Sequence, residues 1–154
     1  MKIRRIRDEA DVEKMIELGA KMHAESRYMD IPYDRAKLAE YGRAAIENPF
    51  TWGGFLAEDE EGKVYAMIAG FKAPFYFSSD AFQVTDAFVY VDKSKRGGLA
   101  AARCVKALEE WAGNVKAHEI VFGISAGINN AAAERLYTGL GYTQVGTLMR
   151  KQGA

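Results

Sequence analysis

One segment in the second half of the chain combines three cationic side chains with two glycines. Lys93, Lys95 and Arg96 precede Gly97-Gly98, between the end of a predicted strand and the start of a predicted helix. The free N–H groups and the positive dipole end of a helix N terminus attract phosphate, and glycines let a pyrophosphate approach the backbone. The segment therefore predicts an anion site, with a flexible, solvated turn as the alternative. It matches neither the Walker motif nor the dinucleotide G-x-G-x-x-G motif.

A second segment, Gly123–Gly127, matches the G-x-S-x-G nucleophile elbow of α/β-hydrolases and follows a predicted strand. In those enzymes the catalytic histidine follows the serine along the chain, whereas His23 and His118 both precede Ser125. We therefore interpret these glycines as loosening the end of a strand. The lone Cys104 falls on the apolar face of a predicted helix, which predicts a small buried side chain.

The elements that must position these residues follow from hydrophobic spacing and from helix and turn signals. Period-two runs predict strands, and apolar residues three and four apart predict helices. The resulting order is βααβββαβαβ. The predicted elements are a strand at 3–6, a helix from 8 to about 26, a helix through 38–46, strands at 51–58, 63–72 and 82–91, a helix at 97–113, a strand at 119–124, a helix at 130–140, and a last strand from 142 to about 150.

This order predicts a single α/β domain over residues 1–154, with a mixed central sheet flanked by helices. The hairpin at 51–72 predicts antiparallel strands in the first half of the sheet. The strand–helix–strand unit at 82–124 predicts parallel strands at the centre. Because the chain has only three prolines and no Gly/Ser linker, nothing indicates a domain boundary.

The composition disfavours several classes of function. The 21 basic and 21 acidic residues give a formal net charge of zero, which argues against a nucleic-acid partner. One cysteine allows no intrachain disulfide and predicts a reducing, cytoplasmic location. One cysteine and two histidines cannot complete a four-ligand zinc site of Cys and His, so we expect no metal. The charged N-terminal residues, and the lack of an apolar run near the roughly 20 residues that cross a bilayer, predict no membrane association.

Two motifs resemble those of a known family. Lys95–Ala100 matches the last two fixed positions of [QR]-x-x-G-x-[GA], with lysine where glutamine or arginine is usual. Farther along, Asn130, Ala133, Tyr137 and Gly141-Tyr142 match a second conserved pattern at the expected separation. On these residues and the order of elements, the sequence resembles the GCN5-related N-acetyltransferases over nearly its whole length. The resemblance implies the acyl-CoA N-acyltransferase architecture.

The resemblance also implies an activity and a set of binding residues. The reaction would move an acetyl group from acetyl-CoA to an amine by direct attack, with Tyr137 beside the sulfur as proton donor. The backbone of the 82–91 strand would hold the pantetheine and thioester, although Val89 and Val91 are also plain core residues. Either Lys95 or Arg96 would be the working cation. The implied cofactor-binding residues are Val89, Val91, Lys95, Arg96, Gly97, Gly98, Leu99, Ala100 and Asn130.

An amine acceptor makes a base worth seeking, because a lysine-like amine with a pKa near 10.4 is almost entirely protonated at pH 7. Asp86 lies on the 82–91 strand with Phe88 and Tyr90 on its own face, and aromatic neighbours can raise the pKa of its carboxyl. Glu25, near the end of the first helix, is the rival candidate. Water is a third source, in which case both carboxylates are structural. Tyr137 in turn is either a proton or hydrogen-bond donor or a packed helix residue.

The acceptor is open at this stage: the resemblance allows a small-molecule amine or a peptide amine. Aromatic residues of the helix connection and strand linkers could line an acceptor cleft or form plain core. The chain after Gly141 has room for little more than one strand where the family usually has two, so the second copy in a homodimer could complete that edge. A non-catalytic protein that binds CoA or a partner is the competing functional class. The aromatic residues concerned are Tyr28, Tyr33, Trp52, Phe75, Tyr76 and Phe77.

Overall fold

The computed structural model describes residues 1–153, which form one sheet with helices on both faces. Helix capping explains where three of the four α-helices begin: the side chains of Asp8, Asp34 and Asn129 each accept a hydrogen bond from a first-turn N–H group. The elements are β1 (Lys2–Arg5), α1 (Glu9–Glu25), α2 (Arg35–Glu47), β2 (Trp52–Glu58), β3 (Val64–Pro74), β4 (Phe82–Val91), a 3₁₀ turn (Lys93–Lys95), α3 (Ala100–Asn114), β5 (Glu119–Val121) and α4 (Asn130–Gly139).

The five strands lie in the order β1-β2-β3-β4-β5. The first three pairings are antiparallel, and only β4 and β5 pair in parallel. The mixed sheet is therefore confirmed, but its parallel pair lies at one edge and not at the centre as expected. The reason is that β5 is short and has no further strand on its other side in the described part of the chain.

Alternating side chains of the strands divide the core into two layers. On one face, Leu56 and Met67 pack with α1 and α2. On the other, Ala57 and Ile68 pack with α3, whose Leu108 is fully buried. The predicted helices and hairpin therefore form where the hydrophobic spacing placed them.

The predicted last strand from 142 to about 150 is wrong. Residues 143–150 adopt no regular secondary structure, and their apolar side chains Val145, Leu148 and Met149 are 84%, 76% and 89% exposed. An apolar run becomes a strand only when another strand satisfies its backbone N–H and C=O groups. Within residues 1–153 no such partner lies beside this segment, so its sequence pattern alone does not produce a strand.

A buried ion network ties the N-terminal strand to the rest of the molecule. The guanidinium of Arg4 donates to both carboxylate oxygens of Asp11 on α1, at 2.6 and 2.8 Å, and to Glu58 on β2 at 2.7 Å. The side chain of Asp11 is fully buried and that of Arg4 is 9% exposed.

Among the helices of residues 1–153, none combines the length and apolarity needed to span a bilayer.

Candidate active site

The site forms where β4 and β5 separate. Their pairing ends at Thr85 and Val121, and just beyond it the carboxylate of Asp86 accepts a hydrogen bond from the Gly123 N–H group at 2.8 Å. On its other side β4 carries a bulge: Ala69 pairs with Phe88 while Gly70 pairs with Asp86. A bulge bends its strand and redirects the side chains beside it. The separated strands border a cavity of about 890 Å³.

Beyond Thr85, the edge of β4 that faces away from β3 has no strand partner in the described residues. Val89 and Val91 both line the cavity along this edge, and both also pack against the core beneath α3. The backbone there can therefore form strand-like hydrogen bonds with an extended ligand while the side chains remain packed.

The glycine-containing turn leads from β4 into α3 along the cavity wall. Gly97 has φ of +89°, a conformation that residues with a side chain rarely adopt, and a Cβ at Gly98 would meet nothing within 4 Å. α3 begins at Ala100, and no side chain caps its N terminus, in contrast to the other α-helices. Its free N–H groups can donate hydrogen bonds to a phosphate, and Lys95 lies beside them in the cavity lining.

Arg96 is exposed, and contacts with neighbouring groups hold its guanidinium in place. Its guanidinium pairs with Glu25 at 2.8 Å and donates to the Val91 carbonyl at 3.0 Å. The Tyr90 hydroxyl also donates to Glu25, at 2.5 Å. These hydrogen bonds lower the pKa of Glu25, and the one from Arg96 has the largest effect. Glu25 thus joins the end of α1 to the turn before α3.

Asp86 and Tyr137 both line the cavity, and their pKa values are shifted in the opposite direction from that of Glu25. Burial raises the pKa of the Asp86 carboxyl. Burial, with the charge of Asp86, raises the pKa of the Tyr137 hydroxyl. The Tyr137 ring stacks on Phe122 with centroids 4.7 Å apart, and its hydroxyl makes no hydrogen bond within residues 1–153. The cavity is therefore lined by a carboxyl with a raised pKa and by a phenol hydroxyl that can donate a hydrogen bond.

The remaining wall comes from the connection between α1 and α2, residues 26–34. Arg27 reaches across to the loop after β5: its N–H group donates to the Ala126 carbonyl at 2.9 Å, and its guanidinium donates to the Ser125 carbonyl at 2.5 Å. Sequence reasoning missed Arg27, because nothing local indicates a partner almost 100 residues away. We call these two bonds the Arg27 bridge.

The structure therefore gathers most of the predicted site residues around one cavity. Leu99 is an exception: it is 64% exposed and lies outside the lining. Glu25 contacts the cavity wall only through Arg96 and Tyr90. Within residues 1–153, no three His, Cys, Asp or Glu side chains are grouped to hold a metal ion. The predicted residues that line the cavity are Asp86, Val89, Val91, Lys95, Arg96, Gly97, Gly98, Ala100, Asn130 and Tyr137.

The family model of the acetyltransferase (GNAT) family matches residues 14–142, which is most of the sequence. The chain belongs to the GNAT acetyltransferase family. The family and the acyltransferase class predicted from the two motifs are thereby confirmed. The matched region contains the separated strands, the glycine turn and Tyr137, so the cavity lies within the family's shared domain.

Solved structures share the GNAT fold at low sequence identity. An aminoglycoside acetyltransferase from an uncultured soil metagenomic sample is 16% identical, covering 99% of this chain and 98% of that one, with a TM-score of 0.72. Glucosamine-6-phosphate N-acetyltransferase from Arabidopsis thaliana is 16% identical over 99% and 98% of the two chains, with a TM-score of 0.74. A predicted acetyltransferase with acetyl-CoA from Clostridium acetobutylicum is 16% identical over 98% and 95% of the two chains, with a TM-score of 0.73. Among curated proteins, none matches the sequence.

Proposed function

We propose that this protein transfers an acetyl group from acetyl-CoA to a primary amine by direct attack. One observation carries the proposal: a single cavity joins the unpaired edge of β4, the glycine turn before α3, and the Asp86–Tyr137 pair. The glycine turn supplies free N–H groups to a pyrophosphate, and the strand edge supplies backbone hydrogen-bonding groups to an amide-containing arm. A thioester bound along β4 would react beside these two protic groups.

The residues for the cosubstrate follow from this arrangement. The pyrophosphate would meet the N–H groups of Gly97, Gly98 and Ala100, with Lys95 as the neighbouring cation. We prefer Lys95 to Arg96 for this role because Glu25 already holds the Arg96 guanidinium. Leu99, being exposed, would contribute only its N–H group. The backbone of Val89 and Val91 would bind the pantetheine arm, and Asn130, at the start of α4, would contact it from the other side.

The chemical step needs a neutral amine. Removing a proton from an amine of pKa near 10.4 at pH 7 costs about 4–5 kcal/mol. Asp86 is the base we propose, since a carboxyl whose pKa is raised accepts a proton nearer to neutral pH. Glu25 is poorly suited, because its pKa is lowered and Arg96 and Tyr90 already bond its oxygens.

The amine nitrogen forms a bond to the thioester carbonyl carbon, and the carbon–sulfur bond then breaks. Asp86 takes the first proton, from the ammonium group, before the attack. The second proton, released by the nitrogen as the carbon–sulfur bond breaks, goes to the thiolate by way of the Tyr137 hydroxyl, which is left neutral. A phenol with a raised pKa is a weak acid, so hydrogen bonding to the developing thiolate is its main contribution. The products are the acetylated amine and CoA.

The names of proteins with the same fold support an amine acceptor. The structures with the same fold include an aminoglycoside acetyltransferase and a glucosamine-6-phosphate N-acetyltransferase. We propose a small-molecule amine as acceptor, and a peptide amine as the second candidate. The buried free thiol of Cys104 fits a reducing, cytoplasmic setting.

The test is a thermal-shift and calorimetric titration with acetyl-CoA on wild type, Gly98→Trp and Lys95→Ala. A ligand at 100 times its Kd stabilises the native state by about 2.7 kcal/mol, which raises the Tm visibly. Because a Cβ at Gly98 meets nothing, the tryptophan variant should fold and block the turn. Lys106→Ala, on the exposed side of α3, is the matched control and should bind as wild type does. No shift in the wild-type Tm at millimolar acetyl-CoA would overturn the proposal.

A further inference from the structure

Two tyrosines of the α1–α2 connection are fixed in place on the cavity wall. The Tyr33 hydroxyl donates to the Ile16 carbonyl at 2.7 Å, and its ring lies over Gly19, where an added Cβ would be 2.6 Å from the hydroxyl oxygen. The Tyr28 ring stacks on the Arg27 guanidinium at 4.2 Å, and its hydroxyl accepts a hydrogen bond from the same group. Both rings are therefore oriented before any ligand binds.

His23 completes this wall and contains an unpartnered polar atom. Its ring lies 5.2 Å from that of Tyr33, and His23 lines the cavity one helical turn after Gly19. Its Nε2 is buried and forms no hydrogen bond within residues 1–153. Buried polar groups almost always have a partner, so this nitrogen has an unused hydrogen-bonding capacity that a bound molecule can fill once the atoms covering it shift. We call Tyr28, Tyr33 and His23 the aromatic wall.

The charges around the cavity restrict the acceptor further. Within residues 1–153, two carboxylates line it, those of Asp34 and Asp86, against the cations Lys37, Lys95 and Arg96. Asp34 already uses an oxygen to cap α2. Each ammonium group taken out of water needs an anionic or hydrogen-bonding partner, so an acceptor with several ammonium groups would leave some unpaired. One ammonium beside Asp86 fits this lining.

Building on the proposed function, we propose that the acceptor is a monoamine with a single aromatic ring bearing a polar substituent. The ring packs on the aromatic wall, where aromatic pairs gain more than their buried area alone provides. The substituent hydrogen-bonds to Nε2 of His23, and the amine on a short alkyl chain reaches Asp86. Tyramine has these features, phenethylamine lacks the substituent, and the aminoglycoside tobramycin and the polyamine spermidine carry several ammonium groups.

The experiment measures CoA release from acetyl-CoA with these four amines. We expect kcat/KM for tyramine to exceed that for tobramycin and spermidine at least tenfold. His23→Phe, which keeps a ring, should lower kcat/KM for tyramine about tenfold and leave phenethylamine nearly unchanged. Tyr33→Leu should raise the KM for both aromatic amines, whereas Tyr76→Leu, on a fully exposed tyrosine outside the cavity, should change neither.

A binding measurement separates failure of this inference from failure of the proposed function. With saturating CoA present, tyramine should raise the Tm of wild type and not that of Tyr33→Leu, independently of turnover. Faster CoA release with tobramycin or spermidine than with tyramine would overturn the inference and leave the acetyltransferase proposal standing, as would acetyl-CoA binding without transfer to either aromatic amine. Equal losses for tyramine and phenethylamine in His23→Phe would overturn the role of Nε2. The proposed function itself fails if acetyl-CoA does not bind, or if it binds and no amine releases CoA.

Discussion

At the scale of single residues, the Tyr137 hydroxyl is the group whose removal is most informative. Tyr137→Phe retains the ring stacked on Phe122 and removes only the donor. We expect kcat to fall about 10²-fold while the Kd for acetyl-CoA stays unchanged, since the donor acts on the departing sulfur. Tyr142→Phe is the control: that hydroxyl donates to Glu109 outside the cavity, so steady-state kinetics should be unaffected. A Tyr137→Phe variant as fast as wild type would make the tyrosine a packing residue.

The pH dependence of kcat/KM distinguishes the two carboxylates. A base works in its deprotonated form, so the rate should rise as the pH increases through the pKa of Asp86, which burial places above the ordinary value near 4. Asp86→Asn should remove this rise and lower the plateau. Glu25→Gln should preserve the rise and weaken acetyl-CoA binding several-fold, because Glu25 positions Arg96 and the turn behind it. If Glu25→Gln were the variant that removed the rise, the assignment would be reversed.

These two residues also show how far sequence reasoning reaches at this scale. The sequence predicts a raised pKa for the Asp86 carboxyl from aromatic neighbours on its own strand face, but the bulge in β4 turns Phe88 and Tyr90 to the opposite face, toward α1, and burial is what raises the pKa. The ion pair of Glu25 with Arg96 joins residues 71 positions apart, and no local pattern indicates such a pair. Residue type and strand position can be read from one segment, whereas the partner of a side chain depends on how distant segments pack.

At the scale of elements, Gly19 on α1 is the residue that lets Tyr33 approach. Alanine normally favours a helix over glycine by about 1 kcal/mol, yet at this position its Cβ would lie 2.6 Å from the Tyr33 hydroxyl oxygen. We expect Gly19→Ala to lower the Tm and raise the KM for the amine, with the Kd for acetyl-CoA retained. Gly113→Ala on α3 is the matched control, because a Cβ there meets nothing, and it should raise the Tm.

An unchanged KM for the amine in Gly19→Ala would mean that Tyr33 does not contact the acceptor. Differential scanning calorimetry and initial rates on both glycine variants make the comparison.

The same chain illustrates which elements a sequence specifies. Capped helices such as α1 carry their own start signals, so α1 could be predicted within about a residue. The segment 143–150 has an apolar pattern but no partner strand, and pairing is what a local pattern does not contain.

At the scale of the whole molecule, the Arg4–Asp11–Glu58 network should govern stability in acid. Hydrogen bonds from Arg4 lower the pKa of Asp11 and of Glu58. A group whose pKa is lower in the folded state stabilises the fold above its unfolded pKa, near 4, and loses that contribution as the pH falls toward the folded value. We therefore expect the free energy of unfolding to decrease as the pH drops below about 4.

Asp11→Ala should remove about 3–5 kcal/mol from the free energy of unfolding at pH 7, because it leaves the buried guanidinium of Arg4 without its main partner. Urea unfolding at pH 7 and in acid measures both effects. Glu40→Gln is the control: its partner Lys37 is exposed, so its removal should change stability little. An Asp11→Ala variant with wild-type stability would mean that solvent reaches the network.

The Arg27 bridge gives this protein a place where its selectivity could be redesigned. Because the acceptors of both bonds are main-chain carbonyls, the side chains at positions 125 and 126 can be exchanged without removing either bond. Both positions line the cavity, so a combinatorial library there would vary the acceptor's surroundings on a fixed support. Position 127 should be left out, since Gly127 has φ of +76°, a conformation that residues with a side chain rarely adopt. Directed evolution of new amine acceptors therefore has a natural starting point in two adjacent residues.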